Sequence, residues 1–378
     1  MKILHTSDWH LGKSLGGEVL HEDQLFALQQ VKEHLAREPY DLVVIAGDVF
    51  DRTTPSGDAV RMLGAWLGEV RAFAPTLPIV MIAGNHDNGP RLAWTAALLD
   101  KQQVYLRGDT QRIDEPIAVT GRDGVEAEVW ALPFLLPGAL GEATPSQVGA
   151  MEEGLRRIRA RWDNTKAQVL VAHCFVRDGL VSDSERGLIG TATQIDAAVF
   201  EGFDYVALGH LHRPQVVAGN ARYSGSLARY SFSEASHEKS MFAVEVAPGQ
   251  PHRCVVHPLA CLRGMHRITA SLQELLSDPQ FDDRVEAYVE LTLSPPVDVG
   301  NPLEQLRARW KRILSFHNAL VPAGAALATV SAGGDGTRDL EADFSDFDRQ
   351  FPTGDVPPEE LLRWFRDLHG RLPEEANE

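Results

Sequence analysis

The sequence predicts an α/β protein in which two mixed sheets pack between helices, followed by a small α+β unit and a helical tail. Three observations carry this expectation. Five short apolar runs, each ending in a residue able to bind a metal, read as buried strands covered on both faces. Segments 22–36 and 58–73, between the first three runs, have the apolar spacing of amphipathic helices. After Pro258 the pattern changes to short strands and a further helix, as a separate small unit would require.

Taken in order, run 3–7 leads into Asp8, Trp9 and His10, and run 42–46 leads into Gly47 and Asp48. Run 79–83 leads into Gly84, Asn85, His86 and Asp87, run 169–172 ends at His173, and run 205–208 precedes Gly209, His210, Leu211 and His212. As strands of one sheet, their carboxyl ends meet on the edge where open α/β sheets bind ligands. Residues 125–130 alternate as a half-exposed strand, and 241–246 and 254–257 continue a strand-rich second half, so a second sheet is expected. The boundaries read as 1–262 for the first domain and 263–330 for an α+β unit. That unit holds a short segment at 273–277, a strand at 285–293, a helix at 302–316 and a last strand at 325–330. A glycine-rich connector, 331–338, then leads to a tail, 339–378. In the tail Leu340, Phe344, Phe347 and Phe351, then Leu361, Leu362, Phe365 and Leu368, recur at helical spacing.

The residues that close the runs suit one chemistry. Asp8 and His10 are two apart, so in an extended segment they point to one side, and His210 and His212 repeat the arrangement. Asp, Asn and neutral His suit Mn²⁺, Fe²⁺ or Mg²⁺ better than an all-thiolate site would, and no cysteine motif competes. A carboxylate at Asp48 could bridge two ions roughly 3.5 to 4 Å apart, the separation at which paired metals activate water for phosphoester hydrolysis. Taken alone, a strand-terminal Asp is more often a turn or a cap, and a lone His is usually a satisfied side chain. Five such endings in this order rarely arise together.

On these motifs the chain resembles the calcineurin-like metallophosphoesterases from Met1 to about Leu262. Segments 5–12 and 225–234 are similar to those of the nuclease subunits of bacterial ATPase-coupled DNA-repair complexes. The resemblance implies a four-layer α/β/β/α sandwich with a capping domain after it. It also implies one ion on Asp8, His10, Asp48 and His212 and a second on Asp48, Asn85, His173 and His210, with Mn²⁺ as the leading metal. His86 would stabilise the transition state or protonate the leaving oxygen, and Asp87 would orient it. Archaeal and eukaryotic relatives tend to carry a second active-site histidine where this chain has Asp51. The implied activity is double-strand exonuclease and hairpin or end-processing endonuclease cleavage of DNA in break repair, recombination and replication. The implied assembly is a homodimer within a heterotetramer containing the ATPase. A phosphatase or small-molecule phosphodiesterase of the same superfamily is the rival, because metal residues alone do not choose the substrate.

Composition sets wider limits. The 378 residues, 44% hydrophobic, suffice for one large core and a smaller companion. No stretch approaches the roughly 18 apolar residues of a membrane span, and no signal core opens the chain. With Cys174, Cys254 and Cys261 in no metal-ligand spacing, a cytoplasmic protein is expected. The net charge of −17 opposes phosphate binding by this chain alone, although the tail 331–378 holds 13 acidic residues against 5 basic ones. The arginine clusters at 156–161 and 307–312 read first as solvated helix faces, so DNA is expected to be gripped partly by a partner. Gly12, Lys13 and Ser14 imitate the end of a phosphate-binding loop, but Ser7 stands where its first glycine belongs.

Overall fold

The structure is a computed structural model describing residues 1–185, 194–297 and 300–318. The five apolar runs divide between two six-stranded sheets, three in one and two in the other. In the first sheet the spatial order is Arg253–Leu259, Lys239–Glu245, Lys2–Thr6, Leu42–Ile45, Ile79–Ile82 and Val104–Arg107, the last four being parallel. In the second it is Gln215–Val216, Ala221–Tyr223, Tyr205–Gly209, Ala167–His173, Glu126–Leu132 and Ile117–Thr120, with the middle four parallel. A single sheet was therefore the wrong expectation for the five runs. Their endings face each other from two sheets.

Burial on both faces explains the unbroken apolar runs. Ile3, Leu42, Val44 and Val80 pack between the sheets against Val129, Val169, Val171 and Ala207. Their neighbours Leu4, Val43, Ile45 and Met81 point outward beneath helices His21–Arg37 and Gly57–Phe73. Helix Gln147–Arg159 covers the outer face of the second sheet through Ala150, Met151, Leu155 and Ile158. The layers are thus α/β/β/α. Strand Glu126–Leu132 is buried everywhere except at Glu126, so the expected half-exposed strand is a correction. Its polar members find partners inside, as Glu128 does with the Gln168 amide at 3.1 Å. Two of the long helices begin on serine caps, Ser56 accepting from Ala59 N and Ser146 from Gly149 N, which satisfies amides that the first turn leaves unpaired.

After Leu262, three parallel strands, Met265–Ala270, Tyr288–Leu293 and Arg312–His317, form a small sheet with helices Leu272–Ser277 and Pro302–Arg307. The expected helix 302–316 stops at Arg307, and its second half is a strand. Leu306 and Trp310 bury in the small core, while Ile313 and Phe316 pack against it from the paired strand. Pairing with Tyr288–Leu293 outweighed a helical period that Leu306, Trp310 and Ile313 also satisfy. This sheet leans on the first domain through Arg263 and the Tyr288 hydroxyl, each 2.7 Å from an Asp23 oxygen. The strand expected at 325–330, the connector 331–338 and the tail 339–378 lie outside the described residues.

Candidate dinuclear metal centre

Four of the strands stop one to three residues before the first ligand they deliver, and Ala167–His173 ends on its ligand. The strand Lys2–Thr6 ends, and Asp8 and His10 then take left-handed backbone angles, φ 52° and 43°. The extended geometry expected for this pair is therefore corrected. The segment is held by continued pairing, Asp8 N to Gly47 O at 3.0 Å and His10 N to Asp48 O at 2.9 Å. Asp48 and His210 also have positive φ, 48° and 111°. Such conformations cost energy outside glycine and persist only where surroundings impose them. Here Trp9, between the two ligands, is wholly buried and stacks edge-on against Trp66 at 4.9 Å, an arrangement worth about 0.5 to 1.5 kcal/mol beyond area burial. Gln24 Nε2 donates to His10 O at 2.6 Å and the Tyr230 hydroxyl to Trp9 O, so helix and loop clamp the segment from both sides.

The glycines in the motifs make room. A Cβ on Gly84 would lie 2.1 Å from Asp48 Oδ1, and one on Gly47, whose φ is +93°, would lie 2.3 Å from His173 Nδ1. The backbone must approach the carboxylate and the imidazole that closely for the strand ends to meet.

All seven residues predicted as ligands come together. Asp8, His10 and His212 offer donor atoms within 4.8 Å of one another, as do Asp8, Asp48 and His173. Asp48 Oδ2 lies 3.5 Å from both His10 Nε2 and His173 Nε2, between the two groups. Asn85 Oδ1 lies 3.0 Å from His173 Nε2 and 2.9 Å from His210 Nδ1. The tautomers follow from the outer partners. His173 Nδ1 must donate to the Ala46 carbonyl at 2.8 Å, which leaves Nε2 a lone pair when the ring is neutral. His212 Nδ1 lies 3.0 Å from Glu234 Oε1, so its Nε2 lone pair faces His10 Nε2 at 3.0 Å. Behind it, the buried His10 Nδ1 has no hydrogen-bond partner, and Asp51 Oδ1, the oxygen that pairs with Lys13, faces it at 3.5 Å. Nitrogen lone pairs turned toward one another among carboxylates are what a cation resolves, so the donor set fits divalent metal ions.

Charge agrees with this. Burial resists ionisation of Asp48, but the imidazoles of His173, His10 and His86 hold its carboxyl well below the usual range. Burial would depress His173, yet Asp48 and Asp8 push it up to about 9, so without a metal the carboxylates draw a proton onto a nitrogen an ion would need. Burial, then the His173 charge, pushes His210 down to about 3, leaving it neutral and able to ligate.

His86 lies half-buried beside this cluster. Its backbone N–H donates to Asp48 Oδ1 at 2.8 Å, and its Nδ1 meets the Asp51 carbonyl at 3.0 Å. The carbonyl can only accept, so Nδ1 carries hydrogen and Nε2 is the position free for a substrate. Asp87 was expected to orient His86. Its carboxylate instead accepts from the amides of Val49, Phe50 and Gly84 at 2.9 to 3.0 Å, pinning the Asp48 loop to the Asn85 loop. Burial and the Asp48 charge raise it to about 6. Asp51 pairs with Lys13 at 2.8 Å, so the lysine of the false phosphate-loop motif serves the site as a counter-charge.

Sequence reasoning passed over the support behind His212. Glu234 is wholly buried, reaches His212 Nδ1, accepts from the Ser184 hydroxyl at 2.6 Å and pairs with the equally buried Lys239 at 2.6 Å. Glu185 accepts the His212 backbone N–H. The signal was present, since Glu234 closes the 225–234 segment, but only the fold brings it behind a histidine. Glu234→Gln combined with Lys239→Met removes both buried charges together and avoids stranding the lysine. The double variant is expected to fold and to bind metal about 10- to 100-fold more weakly, the usual effect of losing a carboxylate behind a ligating histidine. Metal titration of folded protein checks this, and unchanged affinity would mean that Glu234 serves Lys239 alone.

A fold of two facing sheets that gathers Asp, Asn and His at its strand ends is that of the dinuclear phosphoesterases. The chain belongs to the calcineurin-like phosphoesterase family, whose match covers residues 1–214. Within it, the chain is 33% identical over 327 residues to the D subunit of the SbcCD nuclease of Staphylococcus epidermidis, covering 85% of this chain and 86% of that one. It is a metal-dependent phosphodiester hydrolase. Among solved structures it is similar to the protein TT1561 of Thermus thermophilus, with 15% identity, a TM-score of 0.39, and 68% of this chain and 98% of that one covered. It is also similar to a dimetal phosphatase from Danio rerio, with 12% identity, a TM-score of 0.39, and coverage of 68% and 95%.

Proposed function

We propose that this chain is the DNA-cleaving subunit of an SbcCD-type complex, acting as a double-strand exonuclease and as a hairpin and end-processing endonuclease in DNA repair, recombination and replication. The observation that carries the proposal is the extent of the likeness to the staphylococcal nuclease chain. Its 327 aligned residues exceed what residues 1–262 can hold, so it runs beyond the phosphoesterase fold into the region proposed as a capping domain. Asp8, His10, Asp48 and His212 would hold one ion, and Asp48, Asn85, His173 and His210 the other. Two such ions, with Mn²⁺ favoured over Mg²⁺ or Fe²⁺, would supply Lewis acidity at the phosphate and an activated water. The chain's own part is to fix the donors and to present His86 Nε2 to the leaving oxygen, while Asp51 O holds the other side of the ring.

The deciding experiment gives the purified chain Mn²⁺ and compares duplex and hairpin DNA with nucleotides and phosphoproteins. Cleavage of DNA is expected. Hydrolysis of the small esters or phosphoproteins alone would establish the phosphatase reading instead.

The partners belong to the same proposal. Arg156 and Arg157 pair with Glu153, while Arg309 and Arg312 pair with Asp282 and Glu286, so the two arginine clusters are largely engaged within the chain. That supports a DNA grip shared with an SbcC-type ATPase in the cytoplasm. Among the described residues no helix is long and apolar enough to cross a membrane. We assign ATPase docking to residues 339–378, whose deletion is expected to spare Mn²⁺-dependent cleavage while weakening SbcC binding. Unchanged SbcC affinity in a binding titration would remove that role.

A homodimer would use the face around helices Gly57–Phe73, Gly89–Leu92 and Ala96–Leu99. There Trp94 is 81% exposed and Leu98 70%, an apolar surface larger than isolated side chains need. Leu63 and Trp66, on the first of these helices, are buried in the core and would report on folding instead. Trp94→Glu with Leu98→Glu is expected to halve the mass in solution measured by light scattering. A dimer that survives both substitutions uses another surface.

A further inference from the structure

A second group of metal-binding side chains gathers on the outer, helix-covered side of the first sheet and shares no residue with the catalytic cluster. His34 lies in the last turn of helix His21–Arg37, Glu38 caps that helix, and His257 lies on the edge strand Arg253–Leu259. One donor atom from each falls within 4.8 Å of the others. The convergence has a local origin. His34 and Glu38 are four residues apart and share one side of the helix end. His257 precedes Leu259 by two, and Leu259 buries beneath the helices, so the alternation of the strand turns His257 the same way.

The surroundings hold these groups in place. One turn before His34, Gln30 exchanges two hydrogen bonds with the Ala260 backbone, at 3.0 and 2.8 Å, which fastens the helix to the end of the strand. The two imidazoles lie with centroids 4.2 Å apart and planes at 51°. The Tyr40 hydroxyl sits 2.5 Å from His34 Nε2, the kind of outer hydrogen bond that fixes the tautomer of a ligating histidine. Burial, then the nearby His257, holds His34 below the ordinary imidazole range, so the ring is neutral at neutral pH. The positive charge now serving Glu38 is the Lys2 ammonium at 2.6 Å.

We propose that His34, Glu38 and His257 form an additional metal site, outside the catalytic centre, for a borderline transition ion such as Zn²⁺, with solvent completing its coordination. Two imidazoles and one carboxylate match Zn²⁺, whereas Mg²⁺ and Ca²⁺ favour all-oxygen shells. An ion there ties the helix end to the strand that is outermost in the sheet among the described residues, an edge position of the kind that can pair with another chain. Lys2 and the ion compete for the same carboxylate.

The test counts zinc in the full chain after equilibration with excess Zn²⁺ and removal of the loosely bound fraction. His257→Ala and Glu38→Gln are each expected to lose one equivalent relative to the unaltered chain and to keep Mn²⁺-dependent hydrolysis. Zn²⁺ should raise the melting temperature of the unaltered chain more than that of either variant. Lys2→Met, which removes the competing ammonium, is expected to tighten this equivalent several-fold. Should His257→Ala fail to fold, Glu38→Gln at the helix end reads the same equivalent. An unchanged zinc count in Glu38→Gln, or a lost equivalent accompanied by lost Mn²⁺-dependent hydrolysis, would overturn the proposal.

Discussion

Asp48→Ala is expected to abolish hydrolysis and to empty both metal positions, a larger loss than any single terminal ligand would cause. One oxygen of Asp48 lies 3.5 Å from a histidine of each group, and the other accepts the His86 amide at 2.8 Å. Removing it withdraws the shared negative charge and frees the loop that carries His86. By contrast, His212→Ala leaves Asp48, Asn85, His173 and His210 in place and should retain one ion. Metal content and single-turnover rates, measured together, check the pair. Two ions still bound in Asp48→Ala would exclude a bridging carboxylate.

The second large effect is expected from His86→Ala, which should slow the chemical step by about 10²- to 10⁴-fold while leaving metal content unchanged. A donor atom of the ring comes within 4.8 Å of those of His10 and Asp48, but none meets Asn85, and the ring reaches the site edge-on against His10, with centroids 4.7 Å apart. Its backbone amide, which survives the substitution, keeps its bond to Asp48. A variant with full single-turnover activity would take His86 out of the reaction, and a variant that lost metal would make it a ligand.

Much of the site was legible because each ligand directly follows a short apolar run, and strand ends are where α/β folds expose chemistry. Asp8, Asp48, Asn85, His173 and His210 could be placed from the sequence, since the chain turns at glycine or polar residues after each run. The role of Asp87 was not legible. Its neighbour in sequence is His86, but its partners are the amides of Val49 and Phe50, nearly forty residues away. The Lys13–Asp51 pair and the Glu234–Lys239 pair are hidden in the same way, because nothing local announces which buried charge will meet which. The stretch 302–316 shows the opposite failure. Its apolar spacing satisfies a helix, and only pairing with Tyr288–Leu293 makes its second half a strand.

The sequence by itself determined the strand cores, the long helices and the identity of the donor atoms, since these depend on periodicity and on side-chain chemistry within a few residues. The tertiary structure decided that the runs belong to two sheets. It also decided that Asp8, His10, Asp48 and His210 take positive φ and that buried carboxylates stand behind His10 and His212. Those outcomes depend on contacts between segments up to two hundred residues apart. The free energy that imposes a strained backbone or buries a charge comes from the packing of the whole fold, and no local stretch of sequence carries it.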